Sequence, residues 1–234
     1  MIALSAPAER TFVSIPTFAS VNTMDMCTTS STDLRVTIAM WIAMSVTMMF
    51  PAALPMMSAF GRVTRQLNSG HSRAALMALF VLMYCVIWSI FGTMAGAAEW
   101  TLSGVHLIHN GQLQSGFFVG GLLIVSGFYQ FSSMKNLCLS QCRSPLSFLL
   151  ENYRSGYSGA MRVGVLHGLF CLGCCWALML LAWVGGAMNL LWMLALTILV
   201  SAEKVLGAGR FLKASSGVAL LACGFAEIGA TYFA

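Results

Sequence analysis

The segment HGLFCLGCCWALM, residues 167–179, sets one imidazole and three thiols among apolar neighbours: His167, Cys171, Cys174 and Cys175. At about 100° per residue, these four side chains fall within a helical stripe roughly 100° wide. Thiolate and imidazole are soft-to-borderline donors suited to Cu(I), Zn(II) or iron, and i/i+3 or i/i+4 spacing lets two donors reach one ion. Cysteine is also a small hydrophobe that membrane helices use where backbones approach closely. His167 is the sharper signal, because an imidazole inside a bilayer is costly unless it has a partner.

Other soft or ionisable groups could extend such a site. Cys138 and Cys142, in NLCLSQCRSP, have the i/i+4 spacing that puts both on one side of a helix ending before Pro145. Lys135 and Arg143 beside them favour the thiolate, and with it metal capture or redox exchange. Glu203 offers a carboxylate that could ligate the metal or fix the tautomer of His167. Its alternative is a simple pair with Lys204 among lipid headgroups. Methionine occurs 17 times, and Met40, Met44 and Met48 recur at every fourth residue before MMFPAALPMM. Thioethers bind Cu(I), although a helical methionine stripe is also ordinary core filling. His106 and His109 form an i/i+3 pair with no third donor near them in sequence. His71 lies among arginines and reads as a headgroup contact, while Cys27, Cys85 and Cys223 stand alone and read as packing residues.

The elements that must position these groups follow from composition. Of 234 residues, 59% are hydrophobic and only 8% charged, against about 25% charged in soluble domains. Mean hydropathy is +0.83. So little charge points to an all-α, polytopic membrane helix bundle. The net charge of +5 is spread without a Lys/Arg run or a basic patch interleaved with aromatics, which argues against a nucleic-acid partner.

Residues 1–33 are rich in Ser, Thr and Pro, carry Glu9 and Asp25, and lack the basic and apolar regions of a cleaved signal peptide. They read as a polar tail before a single transmembrane domain over 34–234. Six apolar segments stand out near 36–59, 74–98, 116–134, 160–184, 189–206 and 214–233. The third and fifth are the weakest, with Gln130 and Glu203 near their ends, so five spans is the rival count.

Loop charge supports six. Arg62, Arg65 and Arg73 flank the first connection, and Lys135, Arg143, Arg154 and Arg162 lie in or beside the third. Lys204, Arg210 and Lys213 mark the fifth, whereas 99–115 and 185–188 hold neither Lys nor Arg. The positive-inside rule then puts the basic connections in the cytoplasm and both termini outside. Thiols at 138 and 142 would there be kept reduced, so a permanent disulfide is not expected. Pro51 and Pro55 should kink or loosen the first helix. Gly164 and Gly168 form a GxxxG that favours close helix contact, and the six tryptophans suit interfacial or packing roles.

The stretches YQFSSMKNLCLSQCRSP at 129–145, GAMRVGVLHGLFCLGCCWALM and GGAMNLLWMLALTILVSAEK, with MSVTMMFPAALPM in the first segment, resemble a bacterial family of predicted metal-binding integral membrane proteins. The likeness covers most of 36–206 and is most specific at H-x3-C-x2-CCWALM. It departs at Ser133, where a proline is expected. The resemblance implies a multi-span helical fold in the bacterial cytoplasmic membrane and a cysteine motif acting as a unit, and it leaves the activity unassigned.

Together these readings favour a membrane metal-binding protein, with copper the favoured ion and zinc or iron the alternatives, that handles, transfers or inserts it. The expected ligands are His167, Cys171, Cys174 and Cys175, with Glu203 behind them and Cys138 and Cys142 as docking thiols. A metal-donor protein would then be a partner beside the lipid bilayer. The rival is an accessory subunit of a larger membrane enzyme complex, its Cys/Gly face used for helix packing. An enzyme is the less favoured class: C-x-x-C lacks a thioredoxin-type context, and no Walker loop, GxSxG or paired carboxylates occur in the sequence.

Overall fold

Lipid offers no hydrogen-bond partners to a peptide backbone, so apolar runs must close their own bonds as helices. The computed structural model describes residues 33–67, 72–109, 111–205 and 209–233, which are helical almost throughout. The expected tail thus lies almost wholly outside the described residues, as do His71 and Cys27.

In chain order, α1 (Leu34–Leu67) and α2 (Arg73–Gly104) lead to a short antiparallel hairpin, β1 (Ile108–His109) and β2 (Gln112–Leu113). Then come α3 (Gly116–Phe131), α4 (Ser133–Arg143), α5 (Pro145–Asn152), α6 (Tyr157–Leu180), α7 (Ala182–Gly185), α8 (Leu190–Val205) and α9 (Gly209–Phe233). Among the described residues, four stretches, Leu34–Gln66, Arg73–Gly104, Tyr157–Gly185 and Phe211–Phe233, are long and apolar enough to cross a membrane. Helices α3 and α4, bent by 63°, make a fifth if they count as one span. The chain is an all-α, multi-pass membrane protein.

The expectation of six spans is not met among the described residues. Helix α8 has 16 residues, about 24 Å at 1.5 Å per residue, which is short of a hydrocarbon core of about 30 Å. The third apolar segment breaks at Ser132, whose side chain caps α4 by accepting from the Met134 amide at 3.2 Å. Ser133 therefore occupies the first helical position, where proline is favoured, and the bend forms without one. The basic stretch after it is not an open loop, since α4 and α5 bury Lys135, Leu139, Phe148 and Leu149. Helix α1 continues through Pro51 and Pro55 to Leu67.

Helix α2 is the centre of one half. Leu76, Phe80, Tyr84, Trp88, Gly92 and Ala95 recur along it at helical spacing and are all buried, with α1 and α6 packed against it. The GxxxG on α6 sets that approach: a Cβ on Gly164 would lie 2.6 Å from the Phe80 carbonyl oxygen, and one on Gly168 3.0 Å from Ile87. Helices α3 and α9 pair in the same manner, with Gly120 and Gly224 each facing the other's carbonyl. At the opposite end from the basic connections, the Gly111 carbonyl accepts from the Ala187 amide at 3.0 Å, and Gln112 Nε2 donates to the Val184 carbonyl at 3.0 Å. These bonds pin the hairpin to the segment that follows α6.

A bulky residue at the α2–α6 crossing should force the helices apart. Gly164→Leu is expected to destabilise the protein by about 1–3 kcal/mol, the usual cost of overpacking. Circular dichroism in detergent should show a lowered thermal midpoint; an unchanged midpoint would mean that this crossing does not constrain the fold.

Candidate functional site

The helical period brings His167, Cys171, Cys174 and Cys175 to the buried side of α6, as the stripe predicts. Their surroundings then divide them. His167 lies in an aromatic slot, near-parallel to Phe80 (centroids 6.0 Å, 23°) and Tyr84 (5.6 Å, 23°), with Phe148 edge-on at 6.1 Å. Its Nε2 is buried and has no hydrogen-bond partner among the described residues. One turn further on, the thiols form a chain of contacts. Cys171 and Cys174 each meet Cys175 side chain to side chain, and Cys174 meets Cys142 of α4.

Two partners of this chain come from other helices. Lys204 of α8 reaches in, its Nζ 3.0 Å from Cys171 Sγ and 3.9 Å from Cys175 Sγ. Met49 of α1 places its Sδ 3.7 Å from Cys175 Sγ. Tyr84 adds a hydroxyl 3.2 Å from Cys171 Sγ and also donates to the Met49 carbonyl at 3.0 Å. The thioether that joins the sulfurs is thus Met49, one residue beyond the Met40/Met44/Met48 ladder; Met40 and Met44 sit half-buried against the core.

The sulfurs follow one another and do not surround a point. Cys174 and Cys175 both donate back to the Cys171 carbonyl, at 3.0 and 2.9 Å, the back-bonding that helix interiors offer to short polar side chains. Accordingly, no group of three or more His, Cys, Asp or Glu side chains among the described residues is arranged to hold one metal ion. Cys138 lies against Gly173 of α6, further from the thiol chain than Cys142. His106 and His109 are exposed and join no such group.

Glu203 is not brought to His167 or to the thiols, and it does not pair with Lys204 in headgroups. Adjacent on α8, the two residues point into different clusters, and both are buried. Glu203 Oε2 accepts from Lys135 Nζ at 2.7 Å, and Oε1 accepts from Gln130 Nε2 at 3.0 Å and Ser216 Oγ at 3.2 Å. Lys135 also donates to Gln130 Oε1, and Arg143 donates to the Glu203 carbonyl at 3.0 Å and 2.6 Å. Gln130, the residue that weakens the third segment as a span, is thus the inner wall of a buried polar cluster joining α3, α4, α8 and α9. That cluster presses α4 toward α6 and brings Cys142 to Cys174.

A third polar device escapes sequence inspection. Glu99 of α2 is buried and its Oε2 accepts from two indoles, Trp41 Nε1 at 2.6 Å and Trp183 Nε1 at 3.0 Å. It clasps α1 and α7 to the C-terminal end of α2. An acid inside a long apolar run is the signal that could have revealed it. Lys204 and Lys135 carry no comparable signal, because a lysine at the end of an apolar segment reads as a headgroup contact.

Breaking the Lys135–Glu203 pair strands a buried carboxylate. Lys135→Met is expected to cost about 3–5 kcal/mol, whereas Lys135→Met with Glu203→Leu should recover much of that loss. Thermal unfolding of both variants checks this; equal losses would mean that the pair is not the organising contact.

Residues 38–226, most of the chain and all of these clusters, match the PpoB2 family, described as a copper chaperone. No curated protein and no solved structure matches. The description is that of a carrier, not a catalyst, and is consistent with metal handling. By this match the chain belongs to the copper-chaperone family.

Proposed function

We propose that this protein is a membrane-embedded accessory chaperone that carries Cu(I) transiently for a larger membrane enzyme, and is not a resident metalloprotein. The observation that carries the reading is the chain of sulfurs that runs from half-buried Cys142 to buried Cys174, Cys175 and Cys171, with Met49 Sδ at 3.7 Å from Cys175. Thiolates and thioethers are the donors that select Cu(I) over harder ions. A series of sulfurs in contact lets an ion pass from one pair to the next, which a closed cage of ligands would prevent. The Cys/Gly face of α6 also serves as a helix-packing face: Gly164 and Gly168 sit against α2, and Cys174 and Cys175 bond to their own helix. His167 is a reserve donor one turn away, and Cys138 lies beside the path at Gly173. Glu203 acts indirectly, by holding α4.

The basic connections support an orientation in the bacterial cytoplasmic membrane with the α4 and α8 ends inside and both termini outside. Residues 34–234 are proposed to form one transmembrane domain, with α8 as a short additional membrane element.

The purely structural reading, an accessory subunit in which the thiols only pack, is favoured by the absence among the described residues of any three-donor group. Copper loading separates the two. Purified, reduced protein in detergent is expected to bind about one Cu(I) per chain, with Cys174→Ser/Cys175→Ser losing it. No copper retained after Cu(I) loading would defeat the chaperone reading. A stoichiometric complex whose stability ignores chelators would then favour the structural one.

A further inference from the structure

The Lys204 ammonium is buried in the interior and donates to Cys171 Sγ at 3.0 Å, with Cys175 Sγ at 3.9 Å. Among the described residues no carboxylate pairs with it. The adjacent Glu203 is committed to Lys135 at 2.7 Å, and Glu99 is committed to Trp41 and Trp183 on α1 and α7. Among the described residues, the Lys135–Glu203 pair is the only salt bridge. A buried charge without a counter-charge is strongly destabilising, and ionisable groups inside membranes mark functional pathways by default. The side chains that Lys204 Nζ reaches are sulfurs, so its charge is set directly against the donors of the cluster.

From this we infer that Lys204 is a specificity-determining residue that makes the thiol cluster select a monovalent soft cation over a divalent one. The inference rests on the copper-carrying reading above and concerns charge balance. An ion held by two thiolates meets two negative charges. With the Lys204 ammonium present, a monovalent ion such as Cu(I) completes a neutral assembly, whereas a divalent ion such as Cd(II) leaves one positive charge uncompensated in a low-dielectric interior. Removing the ammonium reverses the order: the monovalent complex becomes an anion and the divalent one becomes neutral. Soft ligand chemistry alone does not make this distinction, because thiolates accept both kinds of ion.

Competition titrations of reduced protein in detergent at fixed pH, with Cu(I) and Cd(II) as the probes, test the inference. Lys204→Gln is expected to weaken Cu(I) binding by about tenfold or more and to strengthen Cd(II) binding, moving the two affinities in opposite directions. Lys204→Arg should keep the wild-type order. Affinities that are unmoved, or that fall together, overturn the inference, and so does a Lys204→Arg variant that behaves like Lys204→Gln. If Lys204→Gln does not assemble, Lys204→Met removes the same charge and is read in the same way. Wild-type protein that binds Cu(I) but shows no change of order in the variants sinks this inference and leaves the chaperone reading standing. Wild-type protein that binds no Cu(I) overturns both.

Discussion

The buried ion pair between Lys135 and Glu203, 2.7 Å long and closed by Gln130 and Ser216, is the contact on which the meeting of α3, α4, α8 and α9 depends. A membrane interior supplies no water to an unpaired charge, so each charged group there must find its partner within the protein. The pair meets that requirement by drawing residues from α3, α4, α8 and α9 to one point. It thereby holds α4 across α6, and Cys142 reaches Cys174 for that reason.

The same constraint explains why adjacent residues at the end of α8 part company. Successive helical positions differ by about 100°, so Glu203 and Lys204 cannot both face one cluster. Glu203 turns to the lysine of α4, and Lys204 turns to the sulfurs of α6. The outcome is two polar clusters side by side, one electrically closed by a carboxylate and one whose positive charge faces thiols. At the other end of α2, Glu99 solves its own burial with two indole N–H donors. These three arrangements account for most of the ionisable side chains buried in the described residues.

A thiol cluster built in this way is poised between structure and chemistry. Cys174 and Cys175 donate to the Cys171 carbonyl, so these two thiols are satisfied within their own helix. His167 is held by stacked rings, and its Nε2 has no hydrogen-bond partner among the described residues. A carrier that must release its cargo is served by such a set: the donors exist, yet no three of them are locked around one position. Membership of a copper-chaperone family is in keeping with that looseness.

Much of this was legible in the sequence, and the limits have a clear cause. Composition alone required membrane helices, and the period of the α-helix put His167, Cys171, Cys174 and Cys175 on one face, because both depend only on residue type and local spacing. The GxxxG contact of α6 and the i/i+4 pair that delivers Cys142 are local in the same sense. The number of full spans was not local, since it turned on a cap at Ser132 and on the length of α8. Nor were the partners. Glu203 facing Lys135, Lys204 facing Cys171, Met49 in place of its neighbours and Glu99 between two tryptophans all join residues at least thirty positions apart. Helical spacing determines which way a side chain points, but what it meets there is decided by how the helices cross, and only the tertiary structure contains that.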